Sequence, residues 1–287
     1  MQSNLQRIIW LASYPKSGNT WMRYLLANYF MPKDRALTIN QMSQFTTSDS
    51  RQDLYDKVAG RRWDGGDFDD WVRIRRPLCR YIAARRDGTH FVKTHCQIQR
   101  VADHDIIPPE VTAAAVYVIR NPFDVAPSFA RHMDVDVDTA IEKMLDPVAV
   151  NTTGTGIFDT LGRWDAHVES WTGAPGLPLY LIRYEDMHKD TEAAITGLMN
   201  FLQVPVGQGK LRRAIRAASF SQMRKQEEQK GFAEKPKDMD RFFHSGITGG
   251  WREKLTPSQI REIREAFLPA LQKYYPDMLD ETAAAAA

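Results

Sequence analysis

The sequence predicts an α/β fold: a P-loop-type parallel sheet flanked by helices on both faces, in a single domain. Three observations carry this. Short apolar runs of strand length recur at residues 8–12, 89–94, 113–119 and 179–183. Helix-forming segments follow them, and strands that alternate with helices build a parallel sheet covered on both sides. The first run leads directly into a small-residue turn carrying a lysine, Ser13-Tyr14-Pro15-Lys16-Ser17-Gly18-Asn19-Thr20-Trp21, and then into a helix. In that layout the backbone N–H groups of the turn and of the helix start point at one spot, and the helix dipole adds positive potential there. Lys16 and Thr20 add a charged donor and a hydroxyl, so the expected ligand is a phosphate-bearing nucleotide or something close to it.

The elements follow in order. Ile8-Ile9-Trp10-Leu11-Ala12 reads as a buried parallel strand, apolar on both faces. Residues 20–30 read as the next helix, with Pro32 as its stop. From 33 to 87 the pattern weakens into a polar stretch with scattered aromatics: Phe45, Trp63, Phe68, Trp71 and Tyr81. So long a weakly patterned stretch inside a domain reads as a lid or a binding segment. Residues 89–94 form a second strand, followed by His95. Residues 113–119 are the clearest strand, with Arg120 at its C-terminal end. Asn121-Pro122 fits an N-cap with proline at the first helical position, opening a helix to about Met133. Residues 154–162 read as a loop, 163–171 as a helix and 179–183 as the fourth strand, ending in Tyr184-Glu185-Asp186-Met187. Helices are expected at 190–202 and 210–217. Thr256-Pro257-Ser258-Gln259 is a capping box with proline at the first helical position, starting a helix to about Tyr274.

Length and composition set the bounds. The 287 residues suffice for one sizeable domain, taken as 1–282, and the alanine run 283–287 is set aside as a non-structural tail. A formal charge of +2 gives no support to non-specific nucleic-acid binding, so basic residues must act locally. Cys79 and Cys96 are the only cysteines, too few for a disulfide framework or a cysteine-built metal site. The polar start and the short apolar run after it do not form a signal peptide, and no stretch is long enough to cross a bilayer. A cytoplasmic enzyme without membrane or nucleic-acid partners is the expectation.

Three pieces carry chemistry. The turn lacks the Gly-x-x-x-x-Gly-Lys-Ser/Thr spelling of triphosphate loops: Lys16 precedes Gly18, and the magnesium-binding Lys-Ser/Thr pair is missing. An ordinary strand-to-helix turn with a solvated lysine remains the alternative. The second piece is Arg120-Asn121-Pro122-Phe123-Asp124-Val125-Ala126-Pro127-Ser128. Ligands collect at the C-terminal ends of parallel strands, and the fork of Arg120 suits a phosphate. Ser128, two helical turns on, reaches the same anion if the ligand lies along the helix; the alternative pairs Arg120 with Asp124 across one turn. The third piece is Lys93-Thr94-His95. The spacing puts Lys93 and His95 on one face of a strand, and a nearby cation favours the neutral, basic imidazole. That suits a general base; a structural histidine is the alternative.

Together these pieces resemble the PAPS-dependent sulfotransferases of the cytosolic type (PAPS is 3′-phosphoadenosine 5′-phosphosulfate). Tyr14 to Trp21 resembles that family's 5′-phosphosulfate loop, Arg120 to Ser128 its 3′-phosphate motif, and Lys93-Thr94-His95 the stretch bearing its base. Tyr184-Glu185-Asp186-Met187 and Ser219-Phe220-Ser221-Gln222-Met223 match in order, so the likeness runs from residue 8 to about 256. The resemblance implies that Lys16 contacts the oxygen bridging phosphate and sulfate, and that Ser17, Gly18, Asn19 and Thr20 hold the 5′-phosphate. It implies that Trp21 and Phe220 sandwich the adenine beside Met223, that Tyr184 bonds its edge, and that Arg120 and Ser128 take the 3′-phosphate. His95 is then the base and Lys93 steadies the sulfuryl oxygens. PAPS is the implied donor, 3′,5′-ADP the product, and no metal is required.

One departure stands out. Where the family carries an Arg-Lys-Gly triplet for the 3′-phosphate, this chain has His244-Ser245-Gly246, with Arg241, Arg252 or Lys254 as candidate replacements. The family's dimer motif is poorly kept at Arg252, Thr256, Pro257 and Arg261, which leaves monomer and homodimer open. Trp63, Trp71, Tyr81, His132 and Phe158 are the candidate contacts to a small-molecule acceptor bearing a hydroxyl or an amine; anchoring of long loops is the alternative. Trp164 and Trp171 read as core aromatics on a helix. The basic runs Arg61-Arg62, Arg73-Arg75-Arg76 and Arg85-Arg86 read as a solvated face or as attraction for an acidic acceptor. Asp134, Asp136 and Asp138 alternate, but no glycine turn or terminal glutamate follows to make a cation loop. Two rival functions remain at this point, a P-loop small-molecule kinase using ATP and a non-catalytic nucleotide-binding protein.

Overall fold

The structure, a computed structural model, describes residues 7–31, 36–64, 66–85, 88–152, 157–236 and 239–286. Pro32, Arg86, residues 154–156 and the final alanine, on which expectations above fall, lie outside the described residues. In chain order the strands are β1 (Ile8–Ala12), β2 (Thr46–Ser48), β3 (His90–Thr94), β4 (Arg100–Val101), β5 (His104–Asp105), β6 (Thr112–Ile119), β7 (Val150–Thr152), β8 (Phe158–Thr160) and β9 (Leu179–Arg183). The helices are α1 (Asn19–Phe30), α2 (Gln52–Ala59), α3 (Phe68–Ala84), α4 (Pro122–Met133), α5 (Val137–Leu145), α6 (Trp164–Thr172), α7 (Tyr184–Lys189), α8 (Thr191–Phe201), α9 (Gln208–Ala217), α10 (Phe220–Lys230), α11 (Pro257–Tyr274) and α12 (Leu279–Ala285). The chain divides into two compact units: Met1–Tyr14, Thr46–Val118 and Asp146–Leu181 form the first, and Pro15–Phe45, Ile119–Leu145 and Ile182–Ala287 the second.

The first unit holds the sheet, in the order β2-β3-β1-β6-β9. The pairs β2/β3, β3/β1 and β1/β6 are parallel. Strands buried on both faces need continuous apolar sequence, and Ile8, Trp10, Leu11, Ala12 and residues 115–118 of β6 are all buried. The register sets Trp10 between Val92 and Ala115. Its indole N–H donates to Thr112 Oγ1 at 2.9 Å, which satisfies the one polar atom of a fully buried ring. Ala12 lies opposite Thr94, so β1 and β3 end level and deliver Ser13 and His95 at the same edge of the sheet. The stretch after residue 33, expected to be weakly patterned, contains α2 and the 17-residue α3. Helix α3 buries Trp71, Val72, Arg75, Leu78, Cys79, Ile82 and Ala83, a helical stripe with an arginine in it. Arg75 donates to the Asp49 carboxylate at 2.8 Å, and both side chains are 1% exposed.

Apart from the last residues of β6 and β9, the regular structure of the second unit is helical among its described residues. Helix α4 begins as expected: the Asn121 side chain accepts from Asp124 N, and Pro122 occupies the first turn. Helix α11 opens on the capping box of Thr256 and Gln259. Helix α1 starts at Asn19, directly after Gly18 in the left-handed conformation at φ 99°. The alanine run is not without structure, since α12 extends through Ala285, in keeping with alanine's helix propensity.

Candidate active site

The phosphate-loop candidates lie in the second unit. Lys16, a residue with a Cβ, sits at φ 66°, a conformation that costs about 1–3 kcal/mol and persists only where its surroundings enforce it. The enforcement is visible. Arg120, directly after β6, donates from Nη1 to the Lys16 carbonyl at 3.1 Å and from Nη2 to the Ile247 carbonyl at 3.0 Å. Its guanidinium also lies 4.5 Å from the centre of the Tyr184 ring. The ion pair with Asp124 read as an alternative is present at 3.8 Å. The Asp124 carboxylate has closer partners, however: Gly249 N at 2.7 Å and Trp251 N at 3.0 Å. Arg120 therefore braces the loop.

The loop fits an anion. Ser17 Oγ is buried with no hydrogen-bond partner among the described residues, and a buried hydroxyl without a partner is costly. The Lys16 ammonium lies 4.3 Å from the centre of the Phe242 ring. Gly18 packs so closely on Tyr184 that a Cβ there would sit 2.5 Å from Tyr184 Cδ2. Thr20 and Trp21 are half-buried in the first turn of α1, and the Trp21 ring meets Tyr184 edge-on at 5.6 Å. The Tyr184 hydroxyl donates to the Gly246 carbonyl at 3.3 Å. Gly246, at φ 63°, leaves room for Phe220, whose ring carbon Cδ2 would be 2.1 Å from a Cβ at that position. Met223 is buried on α10, and Ser128 is half-buried on α4. Thus Lys16, Gly18, Trp21, Arg120, Tyr184, Phe220 and Gly246 form one connected set. Among the replacements considered for the altered triplet, Arg252 is tied to Glu281 at 2.6 Å and Arg241 lies 3.5 Å from Glu228.

The base candidates lie in the first unit. His95 directly follows β3, and the alternation of burial along the strand runs on through it: Lys93 and His95 are half-buried on either side of buried Thr94. The His95 Nδ1 is 2.8 Å from the Ser13 carbonyl oxygen. A carbonyl only accepts, so Nδ1 carries a proton, and in the neutral imidazole the lone pair is then on Nε2. The segment after it is pinned from several sides. The Trp171 indole donates to the Cys96 carbonyl at 3.1 Å, and Gln97 N donates to Thr160 O at 2.8 Å.

His167 is a residue that motif reading passed over. The Tyr117 hydroxyl donates to its Nδ1 at 2.7 Å, and its Nε2 donates to the His95 carbonyl at 2.9 Å. Burial pushes this imidazole down to about 4, so it stays neutral and holds the backbone at His95. A polar residue between Trp164, Val168 and Trp171 on a buried helix face was the available signal. Asp159 on β8 is a second such residue. Burial first, and then the Asp49 charge, raise its carboxyl, while Lys93 and Arg75 oppose them.

The acceptor candidates are distributed. Trp71 is fully buried; it donates to the Tyr55 hydroxyl at 2.9 Å, stacks on Phe68 and meets Phe158 edge-on at 5.8 Å. Trp63 is buried against Tyr55 at 5.6 Å. Trp63, Trp71 and Phe158 are thus brought into one aromatic group in the first unit, with Trp71 and Trp63 anchoring it. Tyr81 is half-buried on α3, and His132 stands in the second unit, edge-on to Phe242 at 6.5 Å. The three alternating aspartates have backbone and capping tasks: Asp134 ends α4 in the left-handed conformation, Asp136 accepts from Thr139 N, and Asp138 accepts from Gln259. Among the described residues no three or more His, Cys, Asp or Glu side chains are placed to hold a metal.

Comparison with known proteins identifies the family and the fold. The sulfotransferase domain family model matches residues 6–275. Cytosolic sulfotransferase 10 of Arabidopsis thaliana is 22% identical over 266 residues, covering 88% of this chain and 74% of its own length. Flavonol 3-sulfotransferase of Flaveria bidentis is 24% identical over 273 residues, covering 89% and 78%. Among solved structures, a mouse sulfotransferase complexed with PAP superposes with a TM-score of 0.61 at 21% identity, covering 98% of this chain and 90% of that one. Retinol dehydratase in complex with retinol and PAP gives 0.64 at 20% identity, covering 94% and 82%. These likenesses show the fold: mixed α/β with a central parallel sheet flanked by helices.

Proposed function

Because the chain belongs to the sulfotransferase family and is an enzyme of sulfuryl transfer, we propose that it moves the sulfuryl group of PAPS to a hydroxyl of a small molecule, with an amine as the second acceptor class. The observation that carries the choice of donor is the Lys16–Gly18 loop, with its partnerless Ser17 hydroxyl and its carbonyl held by Arg120. Solved proteins of the same fold carry PAP, the nucleotide product of that donor. PAPS supplies an activated sulfuryl group on a phosphate oxygen.

The chain's own residues divide the remaining work. Ser17 and the backbone N–H groups around Gly18 hold the 5′-phosphate, and Arg120 and Ser128 face the 3′-phosphate. Trp21 and Phe220 flank the adenine, beside Tyr184 and Met223. The Lys16 ammonium neutralises charge that builds on the leaving oxygen, and Lys93 does so on the sulfuryl oxygens. His95 accepts the acceptor's proton at Nε2 as the new oxygen–sulfur bond forms; its Nδ1–H stays on the Ser13 carbonyl. Positive side chains thereby serve where other transferases use a metal. Trp63, Trp71, Tyr81, His132 and Phe158 are the proposed surroundings of the acceptor. Among the described residues no helix is long and apolar enough to cross a membrane, and the cytosol is the proposed location.

Transfer of labelled sulfate from PAPS to a panel of alcohols and amines, with a chelator present, tests the reading. Turnover is expected with chelator in the wild type and should be strongly reduced in Lys16→Met. A strict requirement for Mg²⁺, or thermal stabilisation by ADP and not by 3′,5′-ADP, refutes it.

A further inference from the structure

The departure at His244-Ser245 leaves the second unit short of two cations where the resemblance expects them, and the loop around it shows where others stand. That loop runs along α4. At one end the Phe242 ring meets the ring of His132, near the end of the helix, edge-on at 6.5 Å. At the other end Gly249 N and Trp251 N are bonded to Asp124, in the first turn of the helix. His244, Ser245 and Gly246 consequently lie on the stretch that runs alongside α4, where Ser128 and, in the last turn, Arg131 stand one turn apart on a shared face.

Arg131 is half-buried, and its guanidinium makes no hydrogen bond or ion pair with any described residue. The Lys254 ammonium likewise has neither; it lies beside Gly250, 3.4 Å from where a Cβ would stand. Arg241 and Arg252 are each occupied by a glutamate. We infer that Arg131 and Lys254 are the cations that grip the 3′-phosphate of the nucleotide, in place of the arginine and lysine that the family's triplet would supply. This rests on PAPS being the donor, as proposed above.

The electrostatics agree. Burial and then the charges of Arg131, Lys254, Arg241 and Arg224 hold the His244 imidazole below its ordinary range. It is therefore a neutral hydrogen-bonding group near pH 7 and adds no charge of its own. Lys254 is also held down, by burial first and then by Arg131, with Arg120 adding to the effect and Asp124 opposing it. Crowded cations without bonded carboxylates are stabilised when a dianion enters, and the planar fork of Arg131 matches a phosphate in two places.

Calorimetric titration with 3′,5′-ADP and with AMP, which lacks the 3′-phosphate, separates the possibilities. The wild type should prefer 3′,5′-ADP. Arg131→Met should lower affinity for 3′,5′-ADP about ten- to a hundredfold, the scale of a lost charge-assisted hydrogen bond, and leave AMP binding unchanged. Lys254→Met should do the same more weakly, and Arg241→Met should leave the preference intact. Arg131→Lys keeps the charge and the stem, so it should fold and retain part of the preference. If Arg131→Met, Arg131→Lys and Lys254→Met all keep the full wild-type preference, the assignment of these two cations falls while the donor stands. If the wild type itself binds the two nucleotides equally, the donor falls as well.

Discussion

Acidification should destabilise this protein through a single buried imidazole. His167 is fully buried, and burial pushes its folded-state value down to about 4. In an unfolded chain a histidine titrates near about 6.5. Between those two values the unfolded state binds a proton that the folded state refuses, so stability falls as pH falls. Above pH 7 the effect vanishes. At pH 5 it amounts to about 2 kcal/mol, and below pH 4 it levels off at about 3 kcal/mol, from roughly 1.36 kcal/mol for each unit of difference. Carboxylates also titrate in this range, so the comparison must be with a variant. His167→Gln retains an N–H for the His95 carbonyl and has no proton to gain. Urea unfolding of both proteins at pH 7, 6 and 5 should show the variant's deficit shrinking by about 2 kcal/mol across the series. A deficit that stays constant across the three pH values would mean that His167 titrates normally or that its surroundings relax to admit the charge, and the reasoning would be wrong.

Other changes have separable readouts. His95→Ala should cut turnover roughly a hundredfold or more, on the scale of general-base catalysis, with 3′,5′-ADP affinity unchanged by calorimetry; loss of nucleotide binding would remove the base assignment. Gly246→Ala forces a Cβ to within 2.1 Å of Phe220 at a φ of 63°. It should lower stability by about 1–3 kcal/mol and weaken 3′,5′-ADP, read together by thermal shift and titration. Asp49→Ala strands the charge of Arg75 at a site 1% exposed. Chemical denaturation should show a loss of about 3–5 kcal/mol, and a loss under 1 kcal/mol would mean that water reaches the guanidinium.

Much of the fold was legible because β1 and most of β6, at the centre of the sheet, are buried on both faces and read as plain apolar runs. Strands β1, β3, β6 and β9 fall within a residue of expectation, and α4 and α11 carry their caps in the sequence. Helix α3 was not legible, for a specific reason. Arg75 occupies a core position on its buried stripe and Pro77 sits inside it, so the helical period is broken twice. The partner that makes Arg75 tolerable, Asp49, is 26 residues away in sequence and cannot be paired with it by inspection. The turn from Ser13 to Gly18 was legible as a strand-to-helix turn because its signals are local, a glycine at positive φ directly before α1. The role proposed for Arg131 had no such signal, because it depends on which other arginines are already engaged, and the glutamates of Arg241 and Arg252 are contacts only the folded chain displays. His167 acts through the backbone of another residue, a role with no sequence signature.

Tyr184 has a consequence for how the two ends of a nucleotide are sensed. One ring carries the weight of Gly18, the edge of Trp21 and the guanidinium of Arg120, and its hydroxyl holds Gly246. A displacement at Gly18 is thus felt at Gly246, the two loops proposed to meet the two phosphates. Ligand fragments bearing a single phosphate should bind less well than independent contributions would allow, and the two halves of the intact nucleotide should assist each other. In the proposed binding mode a single tyrosine thereby couples the two ends of the nucleotide.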